Sequence, residues 1–257
     1  MVKVNTKIVL LVIFAAACFS VAGFSAGRIV ESASAASFLD YFFTPLTTLA
    51  AAFGGSWYAF RLHEDNTKKE AVEKDVKAAN NAIFELARWY NKFHAFKNQF
   101  ILEHASNPFR HLYILPAAGM SFGCPKFDYD SLSFIFKSKN PNLLGTLSLV
   151  EQEITSTLDV IQQRSKLHVE VLQPAVEEVG KKLGSAFPPS ELEKELGARQ
   201  SQVIKMLTDY MVSGIDDSLA GIREHIDLIK AETTTLYPSH LVVGMINPPS
   251  VTAAANP

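Results

Sequence analysis

The chain has 257 residues, a net charge of −2 and 48% hydrophobic residues. That is enough for one or two domains with a real core, and it lacks the basic excess of a nucleic-acid binder. Two cysteines, Cys18 and Cys124, are too widely spaced for a C-x-x-C metal or redox motif and too few for a disulfide framework, so stability must come from packing.

Residues 8–27, "IVLLVIFAAACFSVAGFSAG", carry no charge. As a helix this run reaches roughly 30 Å, the hydrocarbon thickness of a bilayer. A second uncharged run, 41–60, lies between Asp40 and Arg61, with Trp57, Tyr58 and Arg61 at one end as interfacial anchors. Pro45 falls near its start, where a missing N–H costs little. The short linker "RIVESASAAS" suits a hairpin, so residues 1–62 are expected to form two transmembrane helices. Lys3 and Lys7 precede the first run, only Arg28 lies in the linker, and Arg61, Lys68, Lys69, Lys74 and Lys77 follow the second. This distribution predicts a multi-pass inner-membrane protein with both termini cytoplasmic. A cleaved signal peptide, or lipidation at Cys18 after "AAAC", is the competing reading of the first run.

Small residues recur at four-residue spacing: Gly23 with Gly27, Ala50 with Gly54, and Ala51 with Gly55. In lipid, close backbone approach across such residues drives helix packing, so they are the candidate membrane packing surface. Neither run contains an ionisable residue, which argues against a proton relay or ion-coupled transport.

From His63 the pattern turns to long amphipathic helices, expected to form a cytosolic bundle over 63–232. Val72, Val76, Ala79, Ile83, Leu86, Tyr90 and Phe93 step by 4, 3, 4, 3, 4, 3, a heptad seam. "SNPFR" should end this helix near Ser106. An irregular loop then holds His111 and Cys124, a pair with no further ligand or orienting carboxylate at recognisable spacing.

A second long helix follows Pro141, with Leu144, Leu147, Ile154, Leu158, Ile161, Leu167, Val171 and Val179 apolar. Asp159, Arg164, Lys166 and His168 read as its polar face; Pro174 is a candidate kink, and Gly180 and Gly184 candidate stops. In "PPSELEKELG", Ser190 and Glu193 read as a capping box opening the next helix. Its stripe includes Leu192, Leu196, Val203, Leu207, Tyr210 and Met211. Gly214 is expected to interrupt it before Ile215, Leu219, Ile222, Ile226 and Ile229 continue. The Pro-containing tail 233–257 is expected to be loose. With no alternating β-type runs, the fold class is all-α.

The stretches "FFTPLTTLAAAFGGSWYAFRL", "NNAIFELARWYNKF" and "SKNPNLLGTLSLVEQEITSTLDVIQQRSKLH" resemble functionally uncharacterised bacterial inner-membrane proteins. These combine N-terminal transmembrane segments with a helical cytosolic domain. The resemblance covers about the middle half of the chain and implies a bacterial source and an inner-membrane location; it brings no activity and no functional residues.

The pattern admits three functions. The first is a membrane-anchored helical interaction, scaffold or sensor protein whose partners are the lipid bilayer and a homo-oligomer or another membrane protein. The second is a membrane-disrupting stress or defence effector whose hairpin oligomerises. The last is an enzyme, which is not expected, because P-loop, G-x-S-x-G, H-E-x-x-H, paired zinc and GxGxxG motifs are all missing from the sequence. No cofactor, metal, nucleic acid or small-molecule substrate is expected.

Overall fold

The computed structural model describes residues 35–117, 123–184 and 186–245, with side chains from Pro45 onward. Among these residues all regular structure is helical, so the chain is all-α. It divides into two units, Met1–Lys69 and Glu70–Pro257.

The longest helix, α1 (Ala35–Phe96), starts earlier than the sequence suggests. It takes in residues 35–37 of the expected linker and places Pro45 inside the helix instead of in its first turn. The expected span 41–60 is helical throughout. However, no helix among the described residues is long and apolar enough to cross a membrane. Thr44, Pro45, Thr47, Thr48 and the Gly54–Gly55–Ser56 run dilute the apolar side chains of this stretch. The other expected span, 8–27, lies outside the described residues, as do Gly23 and Gly27.

The second unit is built on the heptad seam. Val76, Ala79, Ile83, Leu86, Tyr90 and Phe93 are all buried, joined by Trp89 and Phe96, while Val72 is half-buried at the edge. After Phe96 the helix relaxes through a π-helical turn (Lys97–Ile101) and a 3₁₀ turn (Leu102–His104), ending close to the expected Ser106. A one-turn helix, α2 (Arg110–Tyr113), and a 3₁₀ turn (Ser133–Lys137) lead to α3 (Leu143–Leu167). A second π-helical turn, His168–Leu172, then precedes α4 (Gln173–Leu183). Pro174 sits at the start of α4, where it can donate no N–H to the preceding turn; widening that turn accommodates it. Gly180 stays within α4, and Gly184, at φ 88°, ends it by donating its N–H to the Gly180 carbonyl at 2.9 Å.

The last helix, α5 (Pro189–Leu236), corrects two expectations. Ser190 does not cap it: the cap position is Pro188, no side chain bonds there, and the helix starts on Pro189, whose missing N–H is no loss at that position. The break comes at Gly197 (φ 75°, ψ 155°) and not at Gly214, dividing α5 into an arm, 189–196, and a stem, 198–236. Gly214 stays helical because its lack of a side chain is used against α3: a Cβ there would lie 2.8 Å from Thr157 Oγ1. Farther along, Gly221 faces Val150, and Ser218 Oγ lies 3.3 Å from Thr157 Oγ1. Gly214, Ser218 and Gly221 thus let α3 and α5 run antiparallel at close range.

Two apolar clusters result. The main one joins α1 (Ala79 to Phe96), α3 (Leu143 to Ile161) and the stem of α5 (Met211 to Ile229). A smaller one joins Leu112, Leu172, Val179, Leu192, Leu196 and Ile204 at the α2–α4–arm end. The tail expected to be loose from Thr233 remains helical to Leu236, and Thr233 is fully buried. Residues 237–243 then return to α1: the Tyr237 hydroxyl donates to Asp75 (2.6 Å), Val243 N donates to Asn80 Oδ1 (2.9 Å), and Val242 enters the main core. Residues 246–257 lie outside the described residues.

Candidate functional site

In the first unit the sequence-selected residues share one character, exposure. Every described side chain from Thr47 through Lys69 is exposed. Leu49, Phe53, Trp57, Phe60 and Leu62 are 45%, 56%, 55%, 58% and 50% exposed. Leu49, Phe53, Trp57 and Phe60 recur at helical spacing and so form one stripe. Ala50, Gly54, Ala51 and Gly55 occupy neighbouring faces, and a Cβ added at Gly54 or Gly55 would meet open space. Tyr58 is 66% exposed, and the Arg61 guanidinium lies 5.2 Å from the Trp57 ring centre, a cation–π pair at the end of the stripe.

In the second unit the distinctive feature is a buried polar cluster around Arg164, a residue whose pattern reads as a polar face. Arg164 is 1% exposed. Its place follows from spacing: Leu143, Leu147, Val150, Ile154, Thr157, Ile161 and Arg164 step 4, 3, 4, 3, 4, 3 along α3, and all are buried. The guanidinium donates from Nη1 to the Leu115 carbonyl (3.1 Å) and from Nη2 to those of His111 (3.3 Å) and Ile114, and its Nε approaches Thr208 Oγ1 at 3.4 Å. These bonds satisfy the carbonyls at the end of α2 and hold the following loop. Burial without a carboxylate partner lowers the Arg164 pKa to about 10, still charged at neutral pH.

Two histidines accompany it. His111 is 2% exposed, and neither ring nitrogen has a hydrogen-bond partner. Its Nε2 is 3.4 Å from Glu193 Oε1 on the α5 arm. Burial pushes the His111 pKa down, against the opposing pull of Glu193. His168, in the π-helical turn, has a buried Nδ1 without a partner, and burial, with Arg164 adding to it, takes its pKa down to about 4. A third histidine, His225 on α5, bonds the Gly221 carbonyl through Nδ1 at 2.9 Å, which puts the ring proton on that nitrogen. Adjacent to the cluster, Arg110 pairs with Asp209 at 2.8 Å.

The surface offers less. A groove of about 530 Å³ runs between α1 and the 126–132 segment, lined by Lys74, Lys77, Phe84 and Lys126 with Glu85 and Asp128 among them. Its acids are engaged locally. Asp128 accepts from Ser131 N and Oγ, which holds its carboxyl below the usual range, and Glu85 pairs with Arg88. Nearby, the Tyr129 hydroxyl donates to Glu151; burial, then that bond, raises the tyrosine pKa. His111 and Cys124, the sequence pair of interest, differ in setting: one is buried and the other exposed. Among the described residues no group of three His, Cys, Asp or Glu is placed to hold a metal ion.

The arrangement therefore keeps its buried histidines neutral beside a fixed cation, and the exposed apolar helix offers a contact surface. Comparison with protein-family models, curated proteins and solved structures gave no match to this chain.

Proposed function

We propose that the chain is a membrane-anchored helical interaction module, held to the bacterial inner membrane by its N-terminal region and acting through protein contacts of its helical second unit. The observation that carries the reading is the exposed stripe Leu49, Phe53, Trp57 and Phe60 on a helix whose neighbouring faces are Ala and Gly. Exposed contiguous apolar surface of this kind calls for lipid or protein cover. The uncharged run 8–27 supplies a segment of bilayer length beside it in the chain. The Thr and Gly residues that lower the apolarity of 41–60 are those that pack well helix against helix inside a bilayer, so a hairpin of 8–27 with 41–60 accounts for both features. Trp57 and Arg61 then mark the interface.

The test is fractionation of the full-length protein expressed in a bacterium. It should pellet with membranes and stay there through alkaline carbonate washing. Phe53→Arg combined with Leu49→Arg should release a substantial fraction. Recovery of the unaltered chain in the carbonate supernatant would end the anchoring proposal.

A further inference from the structure

We propose that the α5 arm, Pro189–Leu196, is a proton-operated latch: it closes over neutral His111 and swings away about Gly197 when His111 takes up a proton. Gly197 supplies the pivot, the one non-helical residue inside α5, with a left-handed φ of 75° and nothing within 4 Å of where a Cβ would be. The arm is lightly held. Its buried apolar anchors are Leu192 and Leu196, packed with Leu112, Leu172, Val179 and Ile204. Its polar ties are Glu195 to Lys182 on α4 (2.7 Å), Glu193 to Ser201 on the stem (3.5 Å) and Glu193 to His111 (3.4 Å).

His111 is the group whose state the closed arm controls. Its ring is 2% exposed; Nδ1 has no partner and Nε2 makes only the long 3.4 Å approach to Glu193, a tolerable arrangement for neutral imidazole and a poor one for imidazolium. The charges around it come from every packed element. Arg110 lies next to it on α2, and Arg164 on α3 bonds its carbonyl. His168, whose ordinary pKa Arg164 helps to lower, sits in the π-helical turn. Lys205 and Asp209 act from the stem and Glu193 from the arm. Of the two carboxylates, Asp209 is already paired with Arg110, which leaves the half-exposed Glu193 to answer a new positive charge. The balance favours the neutral form, since burial outweighs Glu193 and lowers the pKa of closed His111 below its ordinary 6.5. The sign follows by linkage: an opening that returns His111 to water brings its proton affinity back toward the ordinary 6.5, so acid favours the open arm. His168 stays neutral until about pH 4, so a window remains in which His111 acts alone.

Hydrogen exchange on the full-length protein, corrected for intrinsic rates, reads this out. Between about pH 7.5 and pH 5.5, peptides spanning 188–196 should lose protection relative to the 206–229 stem. The loss should approach, and not exceed, about tenfold over this range, the limit set by an open-state His111 at its ordinary 6.5. His111→Phe should flatten this response while leaving the neutral-pH protection in place. Glu193→Gln should enlarge the acid response, because closed His111 then becomes harder to protonate; a merely structural Glu193 would weaken the arm equally at both pH values. Should His111→Phe fail to fold, the ring proton signal of His111 in the unaltered protein serves instead, and its titration should track arm opening. An arm whose protection changes no more than the stem's, a pH response that survives His111→Phe, or an opening out of step with the His111 titration overturns the proposal.

Discussion

Two glycines on one helix should respond to the same substitution with opposite signs. At Gly214 an added Cβ falls 2.8 Å from Thr157 Oγ1 and 3.4 Å from its Cγ2; at Gly221 the nearest atoms are Val150 Cγ2 at 3.5 Å and Glu153 Oε2 at 3.6 Å, ordinary contact. Both substitutions gain about 1 kcal/mol from helix propensity. For Gly221→Ala that gain stands, giving a stabilisation of roughly 0.5–1 kcal/mol. For Gly214→Ala it is opposed by overpacking, typically 1–3 kcal/mol. The upper part of that range applies because Thr157 cannot yield cheaply. It is buried, β-branched within a helix, and turned toward Ser218 Oγ at 3.3 Å. Gly214→Ala should therefore be destabilised by about 1–2 kcal/mol. Adding Thr157→Ala removes both γ atoms and leaves Cβ 3.6 Å from the new methyl, so the double variant should exceed the sum of the singles by about 1 kcal/mol. Urea unfolding followed by circular dichroism measures the four variants against the parent. If Gly214→Ala proves as stable as Gly221→Ala, the close α3–α5 approach described above is wrong.

Arg164→Met should cost about 3–5 kcal/mol, because buried carbonyls of His111 and Ile114 lose their donor; Arg164→Lys should recover only part, since one ammonium cannot reach the same fan of carbonyls. Thermal unfolding would show the order, and Arg164→Met matching the parent would refute it. His168 makes stability fall with acid. Its folded pKa, about 4, lies below the ordinary 6.5, so above pH 6.5 it contributes no pH dependence, and between 6.5 and 4 the unfolded chain alone takes the proton. Partial exposure reduces the effect to about 1–2 kcal/mol by pH 5, and His168→Gln should remove that slope from the denaturation midpoints. Gly197→Ala forces a left-handed backbone on an L side chain with open space around it, so a loss of about 1–2 kcal/mol from strain alone is expected in the same assay.

The sequence revealed what periodicity controls. The α1 seam from Val76 to Phe93 is buried as its spacing required, and the helical class follows from the same signal. It concealed what depends on a tertiary neighbour. Arg164, assigned to a polar face by its type, occupies a core phase of its helix, as Thr208 and His225 do of theirs. Extending the α3 spacing from Leu143 through Ile161 by three more residues would have found the arginine. The choice between Gly197 and Gly214 as the break in α5 could not be made locally, because Thr157 on another helix makes Gly214 necessary where it stands. Ser190 looked like a cap, but the two prolines before it already started the helix. Tyr210, placed in the apolar stripe by spacing, is 58% exposed. The return of the tail rests on Asn80 and Asp75, whose partners lie more than 160 residues away, beyond any windowed pattern.

The buried polar contacts between α3 and α5 also decide how those two helices may align. Thr157 meets Ser218 and Arg164 meets Thr208 in one sliding position only. Displaced by one heptad so that Arg164 faces Ile215, the guanidinium would lose both its hydroxyl and the carbonyls beyond α2, a penalty no aliphatic pair could offset. A helix pair with leucine and isoleucine at every such place would hold together in several offsets; this one is keyed to a single alignment.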